Sequence, residues 1–467
     1  MKIKHHEIEI PQENPFANCQ LAREPYARVL TDIVNTYADG FVLAINNEWG
    51  TGKTTFVKMW QQQLKNEGFQ TIYFNAWEND FDSNPLVALM SELETLTNAK
   101  NEKVFKSVVE KGAVLVKNIA PALLKALANK YIGSEVLADI VENTTKASTE
   151  ILEEGIKEYS AKKITIKEFR IELEKFVKQD NNSKPVVFIV DELDRCRPNY
   201  SVEVLEQIKH FFSVSGIVFV LSIDKKQLGA AVEGYYGSNK INSSEYLRRF
   251  IDLEYSIPAP ESRNIVSYFF KYYAFDQFFY NSERANYRDY SEDGKQFQLI
   301  AYELFSKYQP TLRQQEKIFA HARVVINSFH INEYVLPNVV YILCFLRQMD
   351  PDTYGKFETR NLSIAEVVQL VSDMLSINDG RQSRINKQYV LALIIRFYCN
   401  FDDSSTRVDL DDLSQLEVLR AQLSEANVNV DVGVFQYIEA IRREVYGNFS
   451  LESFFGRINL TARLTTA

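Results

Sequence analysis

Between residues 23 and 260 the hydrophobic positions alternate between two periods. Residues 23–38 place Tyr26, Val29, Leu30, Ile33, Val34 and Tyr37 at helical spacing, and Gly40 ends the pattern. FVLAIN (41–46) then runs apolar without a break for the length of one strand, the pattern of a strand covered on both faces of a parallel sheet. Phe56, Val57, Trp60 and Leu64 form one helical stripe, and TIYFNAW (71–77) is the next strand. After an interval, PVVFIVDE (185–192) restores strand character. A helix follows with Val204, Leu205, Ile208, Phe211 and Phe212 on one face, then GIVFVLSID (216–224) and the short DLEYSI (252–257), closed by Pro258 and Pro260. Strands alternating with helices predict an α/β fold, a parallel sheet with helices on both faces.

The interval itself, residues 81–180, has short apolar runs punctuated by lysine, with helical spacing in VALMSELETL, ALLKALANKYI and FRIELEKFV. It is read as a helical insertion. Beyond residue 260 the pattern is almost wholly helical, with capping boxes predicted at Thr311–Gln314 and Ser363–Glu366. The polar stretch 281–296 is expected to be a long loop. The aromatic run 268–280 is read as core, with a partner surface as the alternative. The domain reading is therefore an α/β core over 1–80 and 181–260, a helical insertion over 81–180, and an all-helical C-terminal lobe over 261–467.

Composition changes this picture only by exclusion. Four cysteines without a C-x-x-C pair suggest neither a disulfide framework nor a zinc site. A formal charge of -9 weighs against a surface that tracks a nucleic-acid backbone, which is bound mainly through clustered Lys and Arg. MKIKHHEIEI lacks the apolar centre of a secretion signal, and His5-His6 is read as an ordinary terminal pair rather than a metal site. The longest apolar runs, such as VVYILCFL (339–346), fall short of a membrane span. The expectation is a soluble, cytoplasmic chain.

The candidate chemistry lies at the strand ends. NNEWGTGKTT (46–55) fits the phosphate-cradling pattern G-x-x-x-x-G-K-S/T, except that Asn47 holds the first glycine slot. It sits between a buried strand and an amphipathic helix, where backbone amides and the helix dipole favour phosphate. Asn47, Glu48, Trp49, Gly50, Thr51, Gly52, Lys53, Thr54 and Thr55 are the expected nucleotide-binding set. Lys53 would neutralise the β- and γ-phosphates of ATP, and the Thr54 hydroxyl would ligate Mg2+. Asparagine is one of the few residues besides glycine that visit left-handed backbone geometry, so Asn47 is expected to adopt it. Asp191, ending a buried strand, is the second Mg2+ ligand, and Glu192 is the general base for the attacking water.

Ser222 and Asp224, at the end of the 217–223 strand, are candidates to sense the γ-phosphate; polar strand ends kept for solubility are the alternative. That strand is expected between the two that carry the loop and the acidic pair. Arg249, in EYLRRF, is placed to act on a neighbouring protomer's γ-phosphate, and Arg313 to close the helical lobe over the nucleotide. For both arginines a solvated surface position is the alternative. Trp60 is read as core and Trp49 as packing against the sheet edge to hold the loop.

These pieces carry a family resemblance. AREPYARVL, EWGTGKTT, FNAWEND, FIVDELDRC, VLSIDKKQL and EYLRRFIDLEYSIP together resemble the KAP family of P-loop ATPases, relatives of the wider AAA+ and STAND-type group. The likeness spans residues 15–260; the helical C-terminus matches only in general character, with TLRQQEKI near the expected place of a sensing arginine. The resemblance implies an additional-strand ATPase core, ATP hydrolysis coupled to conformational change or self-assembly, and in some bacterial members a role in excluding phage. Some relatives carry membrane spans in the place of 81–180, which here is interrupted by Lys111, Lys117, Lys125 and Lys130. Three functions stay open at this point: an ATP-hydrolysing switch, a nucleotide-gated scaffold whose helical lobe meets a protein partner, and a DNA-dependent ATPase.

Overall fold

β-branched and aromatic residues in unbroken runs build five strands: β1 (Val42–Asn46), β2 (Thr71–Asn75), β3 (Val186–Asp191), β4 (Ile217–Ile223) and β5 (Leu253–Tyr255). The computed structural model describes residues 8–37, 40–81, 84–116, 151–179, 184–237, 241–287, 290–375, 381–399, 410, 412–441 and 451–460. The strands form one parallel sheet in the order β2-β3-β4-β1-β5. Every residue of β3 and β4 is buried, which is why their sequences show no alternation. Because successive side chains still point to opposite faces, β3 divides its apolar residues between two cores.

On one face Val187 and Ile189 join Leu43, Ile45, Val218 and Val220. They are covered by α1 (Glu24–Thr36) and α2 (Lys53–Asn66), through Leu30, Val34, Phe56, Val57, Trp60 and Leu64. Trp60 is fully buried, as read from the sequence, and its indole donates to Thr31 Oγ1 at 3.0 Å. On the other face Val186, Phe188 and Val190 join Phe74 and Phe219. The cover there comes from α3 (Pro85–Glu94), α4 (Glu102–Val116), α5 (Ile151–Gln179) and α6 (Pro198–Gln207). The described part of the 81–180 insertion is thus one of the layers of the core, with Leu89, Leu93, Phe105, Val108, Phe169 and Phe176 on the sheet. ALLKALANKYI and Lys117, Lys125 and Lys130 lie outside the described residues, as do His5 and His6. No described helix is long and apolar enough to cross a membrane.

After β4 come α7 (Lys225–Tyr236) and α8 (Ser243–Leu247), and β5 pairs with β1 at the edge of the sheet. The chain divides into two compact units, one spanning Glu7–Ala259 and the other Pro260–Ala467.

The described part of the second unit is helical. It contains α9 (Ser262–Tyr272), α10 (Phe275–Phe279), α11 (Asp293–Tyr308), α12 (Leu312–Ile326), α13 (Pro337–Met349), α14 (Pro351–Glu358), α15 (Ile364–Met374), α16 (Arg381–Cys399), α17 (Leu413–Glu425), α18 (Val432–Ile441) and α19 (Leu451–Ile458). Both capping boxes form as the sequence predicts, at Thr311 and Ser363. The 268–280 aromatics are mostly core: Phe269, Phe270, Tyr273, Phe275, Phe278 and Phe279 are buried. The polar 281–296 stretch is more ordered than a loop. It wraps the fully buried Arg284, which pairs with Asp293 and donates to the carbonyls of Ile331 and Glu333 at 2.9 Å. Arg284 and Asp293 are thus a buried ion pair within a stretch whose other described charged residues, Glu283, Glu292 and Lys295, are exposed.

Candidate nucleotide site

β1 ends at Asn46 and α2 begins at Lys53, so residues 47–52 must turn from strand to helix within six positions. The left-handed backbone this turn needs falls on Gly50 (φ 77°) and Gly52 (φ 80°), where the absence of Cβ removes its cost. Asn47 is not among the residues of positive φ, which corrects the expectation from its chemistry. Its side chain is used instead: Nδ2 donates to Ile257 O and Oδ1 accepts from Ile257 N, both at 2.9 Å. Thr51 Oγ1 donates to Glu48 O at 2.8 Å, tightening the loop.

Lys53 is buried, and its ammonium donates to the carbonyls of Asn47 and, at 3.1 Å, Glu48. Burial lowers its pKa, while Asp194, Asp224 and Asp191 pull the other way. Three carboxylates, two at or just after the end of β3 and one following β4, thus act on one lysine electrostatically. Thr54 and Thr55 follow in the first turn of α2, both half-buried.

Asp191, at the end of β3, is 1% exposed. Oδ1 accepts from the Glu192 amide at 3.0 Å and Oδ2 from the Tyr73 hydroxyl at 2.9 Å, and that hydroxyl's pKa is pushed well up by burial and by Asp191. Glu192 itself adopts left-handed geometry, φ 60° and ψ 24°. Its carboxylate pairs with Arg195 at 2.6 Å and accepts from Asn75 Nδ2 at 3.4 Å. Burial raises the Glu192 pKa; Arg195 opposes the shift and Asp191 adds to it.

Trp49 does not pack on the sheet edge as expected. It is 41% exposed, and its indole N–H donates to Asp194. Asp194 is itself buried, and that burial raises its pKa. The bond ties the phosphate loop to the turn after the acidic pair.

β4 lies between β1 and β3, as read from the sequence, and its register sets Ser222 beside both Ile45 and Asp191. The Ser222 hydroxyl is fully buried and without a hydrogen-bond partner. Asp224 serves the fold, since its carboxylate caps α7 by accepting from the amides of Lys226 and Gln227 at 3.1 and 3.3 Å. Arg249 is exposed in the turn before β5. Arg313 is exposed in the first turn of α12, in the second unit.

Sequence reasoning passed over several contributors. Arg23, only 4% exposed, donates to Gly52 O at 3.3 Å, and its Nε has no hydrogen-bond partner. Asn75, Tyr73, Asp194 and Arg195 were also passed over, although FNAW and DELDR contain them. The signal for Asn75, Asp194 and Arg195 was a polar residue at or just after the end of an apolar strand; Tyr73, in the middle of β2, carried no such signal.

The family model described as KAP family P-loop domain matches residues 23–345, more than two thirds of the chain. The chain belongs to the KAP family. Among curated relatives, this KAP chain is 24% identical over 234 residues to the phage T7 exclusion protein of Escherichia coli (strain K12). The match covers 47% of this chain but spans only 30% of that protein's length. Among solved structures, the Aeropyrum pernix ORC2 protein in its ADPNP-ADP complexes is matched over 90% of this chain and 95% of that one. Identity there is 14% and the TM-score 0.33, too low to carry a structural argument.

A KAP P-loop domain implies a nucleotide, usually with Mg2+, and the donors present fit that ion. Each Asp191 oxygen takes a single hydrogen bond and so keeps acceptor capacity, and Thr54 adds a hydroxyl at the helix start. Among the described residues no group of three or more His, Cys, Asp or Glu side chains gathers to cage a metal. Mg2+ would therefore take most of its ligands from phosphate and water, its usual habit.

Proposed function

We propose that this KAP-family chain binds ATP with Mg2+ and hydrolyses its terminal phosphoanhydride bond, using the cycle as a conformational or assembly switch. The observation that carries the reading is that Lys53, following β1, feels the carboxylates of Asp191 and Asp194, at and just after the end of β3, across the single intervening strand β4, with Glu192 next to Asp191 in sequence. On this reading the amides of residues 48–55 and the Lys53 ammonium hold the phosphates. Asp191 and the Thr54 hydroxyl would hold Mg2+, which would supply neutralisation of phosphate charge. Glu192 takes the proton of the attacking water as the oxygen adds to the γ-phosphorus and the bond to ADP breaks. Ser222 is the better candidate for the γ-phosphate, since its hydroxyl is unsatisfied whereas Asp224 is engaged as a cap. Arg249 would act on a second protomer's nucleotide. An anti-phage setting is suggested by the name of the curated relative.

The test is phosphate release by the purified chain and by Glu192→Gln, with ATP binding measured in both. The reading expects retained binding and a loss of turnover of about 10²–10⁴-fold, the usual worth of a positioned base. Equal turnover in both proteins contradicts it.

One observation favours a second reading, a nucleotide-gated scaffold of negligible turnover: Glu192 is already engaged by Arg195 and Asn75. Single-turnover kinetics separate the two, because a scaffold keeps its γ-phosphate for hours. A DNA-dependent ATPase is disfavoured by the charge of -9; it predicts stimulation by DNA that falls steeply with salt.

A further inference from the structure

Asn47 does what a glycine in its place cannot. The pairs joining β1 to β5 are Leu43 with Leu253, Ala44 with Glu254 and Ile45 with Tyr255. Asn47 and Ile257 stand in the same register, 210 positions apart, two residues beyond the last backbone pair. There the carboxamide offers Ile257 one donor and one acceptor, as a backbone would, and extends the ladder with a side chain. The backbone of the same residue is held twice more: its amide donates to Ile223 O at the end of β4 at 3.1 Å, and its carbonyl accepts from Lys53 Nζ. Asn47 thus touches the phosphate-binding lysine, the central strand and the chain that follows β5.

That chain is short and stiff. Ile257 is buried, and Pro258 and Pro260, with φ fixed, bracket Ala259, where the first unit ends. A triphosphate recruiting Lys53 competes for the ammonium that donates to the carbonyls of Asn47 and Glu48, so the charged donor on Asn47 is weakened at the moment of binding.

We propose that Asn47 is a positioning residue that couples the phosphate loop to the chain leaving the core, so that the state of Lys53 is transmitted to residues 253–257. The proposal rests on the nucleotide-binding reading. It is tested by hydrogen exchange at 253–257 with and without saturating Mg2+ and a non-hydrolysable ATP analogue, with occupancy established by calorimetry. In the wild type, exchange at these amides changes on binding. In Asn47→Gly, which restores the consensus glycine and removes the carboxamide, the change is lost even at full occupancy. A wild-type response in occupied Asn47→Gly, or no response in the occupied wild type, overturns the coupling. Should the glycine variant not fold, Asn47→Asp replaces it: one acceptor is kept, the donor to Ile257 O is gone, and an undiminished response overturns the proposal. Failure of both variants to fold makes the clamp a fold element and also overturns it. A wild type that does not bind the analogue contradicts the nucleotide reading instead, a separate result.

Discussion

Glu192 combines two properties that a stability measurement can separate. Its backbone is left-handed, at φ 60°, a geometry costing an L-residue about 1–2 kcal/mol, and its carboxylate is the proposed base. We compare Glu192→Gly with Glu192→Ala. Both lose the ion pair to Arg195 and the contact with Asn75, so those losses cancel between them. Alanine retains the backbone cost. Glycine removes it but adds about 0.5–1 kcal/mol of chain entropy to the unfolded state. The glycine variant is therefore expected to be more stable than the alanine variant by roughly 0.5–1 kcal/mol, the reverse of their order in a helix or strand. Denaturant unfolding followed by tryptophan fluorescence reads this difference, since Trp49 and Trp77 flank the site and Trp60 lies in its core. Both variants are expected to lose hydrolysis by about 10²–10⁴-fold. Equal or reversed stabilities refute the strained backbone, and surviving turnover in the glycine variant refutes the base.

Further expectations follow from the same cluster. Burial holds the Glu192 carboxyl above its ordinary 4.5, so the ionised base is lost, and turnover falls, as pH drops through that raised value. Arg195→Gln removes an opposing influence and moves the acid limb of the pH-rate profile higher still; a limb at or below 4.5, or one unmoved by Arg195→Gln, contradicts this. Trp49→Phe keeps a ring but leaves the buried Asp194 without its indole donor, a cost of about 1–3 kcal/mol in thermal unfolding together with weaker ATP binding. Thr311→Ala removes the hydroxyl that accepts from the Gln314 amide, leaving the bond from its own amide to Gln314 Oε1, and lowers the stability of the second unit by about 1 kcal/mol in denaturant unfolding.

The parts legible in the sequence were those set by local periodicity and chain-adjacent chemistry. Unbroken apolar runs marked β3 and β4 because both faces of those strands are covered, and the Thr311 and Ser363 boxes were visible because their bonds close over three residues. What escaped were contacts between distant positions. Nothing near Asn47 names Ile257 as its partner, and nothing near Trp49 names Asp194. The left-handed turn at Glu192 was hidden because its sequence offers neither Gly nor Asn there; the strain is retained where the proposed chemistry needs that carboxylate. The stripes of α3, α4 and α5 revealed helices but not the sheet they cover, since an apolar face does not specify its partner. Arg284 was obscured for the opposite reason: it is fully buried although its neighbours in sequence are polar and exposed.

The functional reading stands or falls on whether the loop around Lys53 and the acidic turn at Asp191 form one nucleotide site. Isothermal calorimetry of Mg-ATP into the wild type and into Lys53→Met decides it. Saturable one-site binding is expected in the wild type, weakened in the variant by at least about tenfold, or about 1.4 kcal/mol. Absence of binding heat in the wild type, or equal affinity in the two proteins, would contradict the shared site.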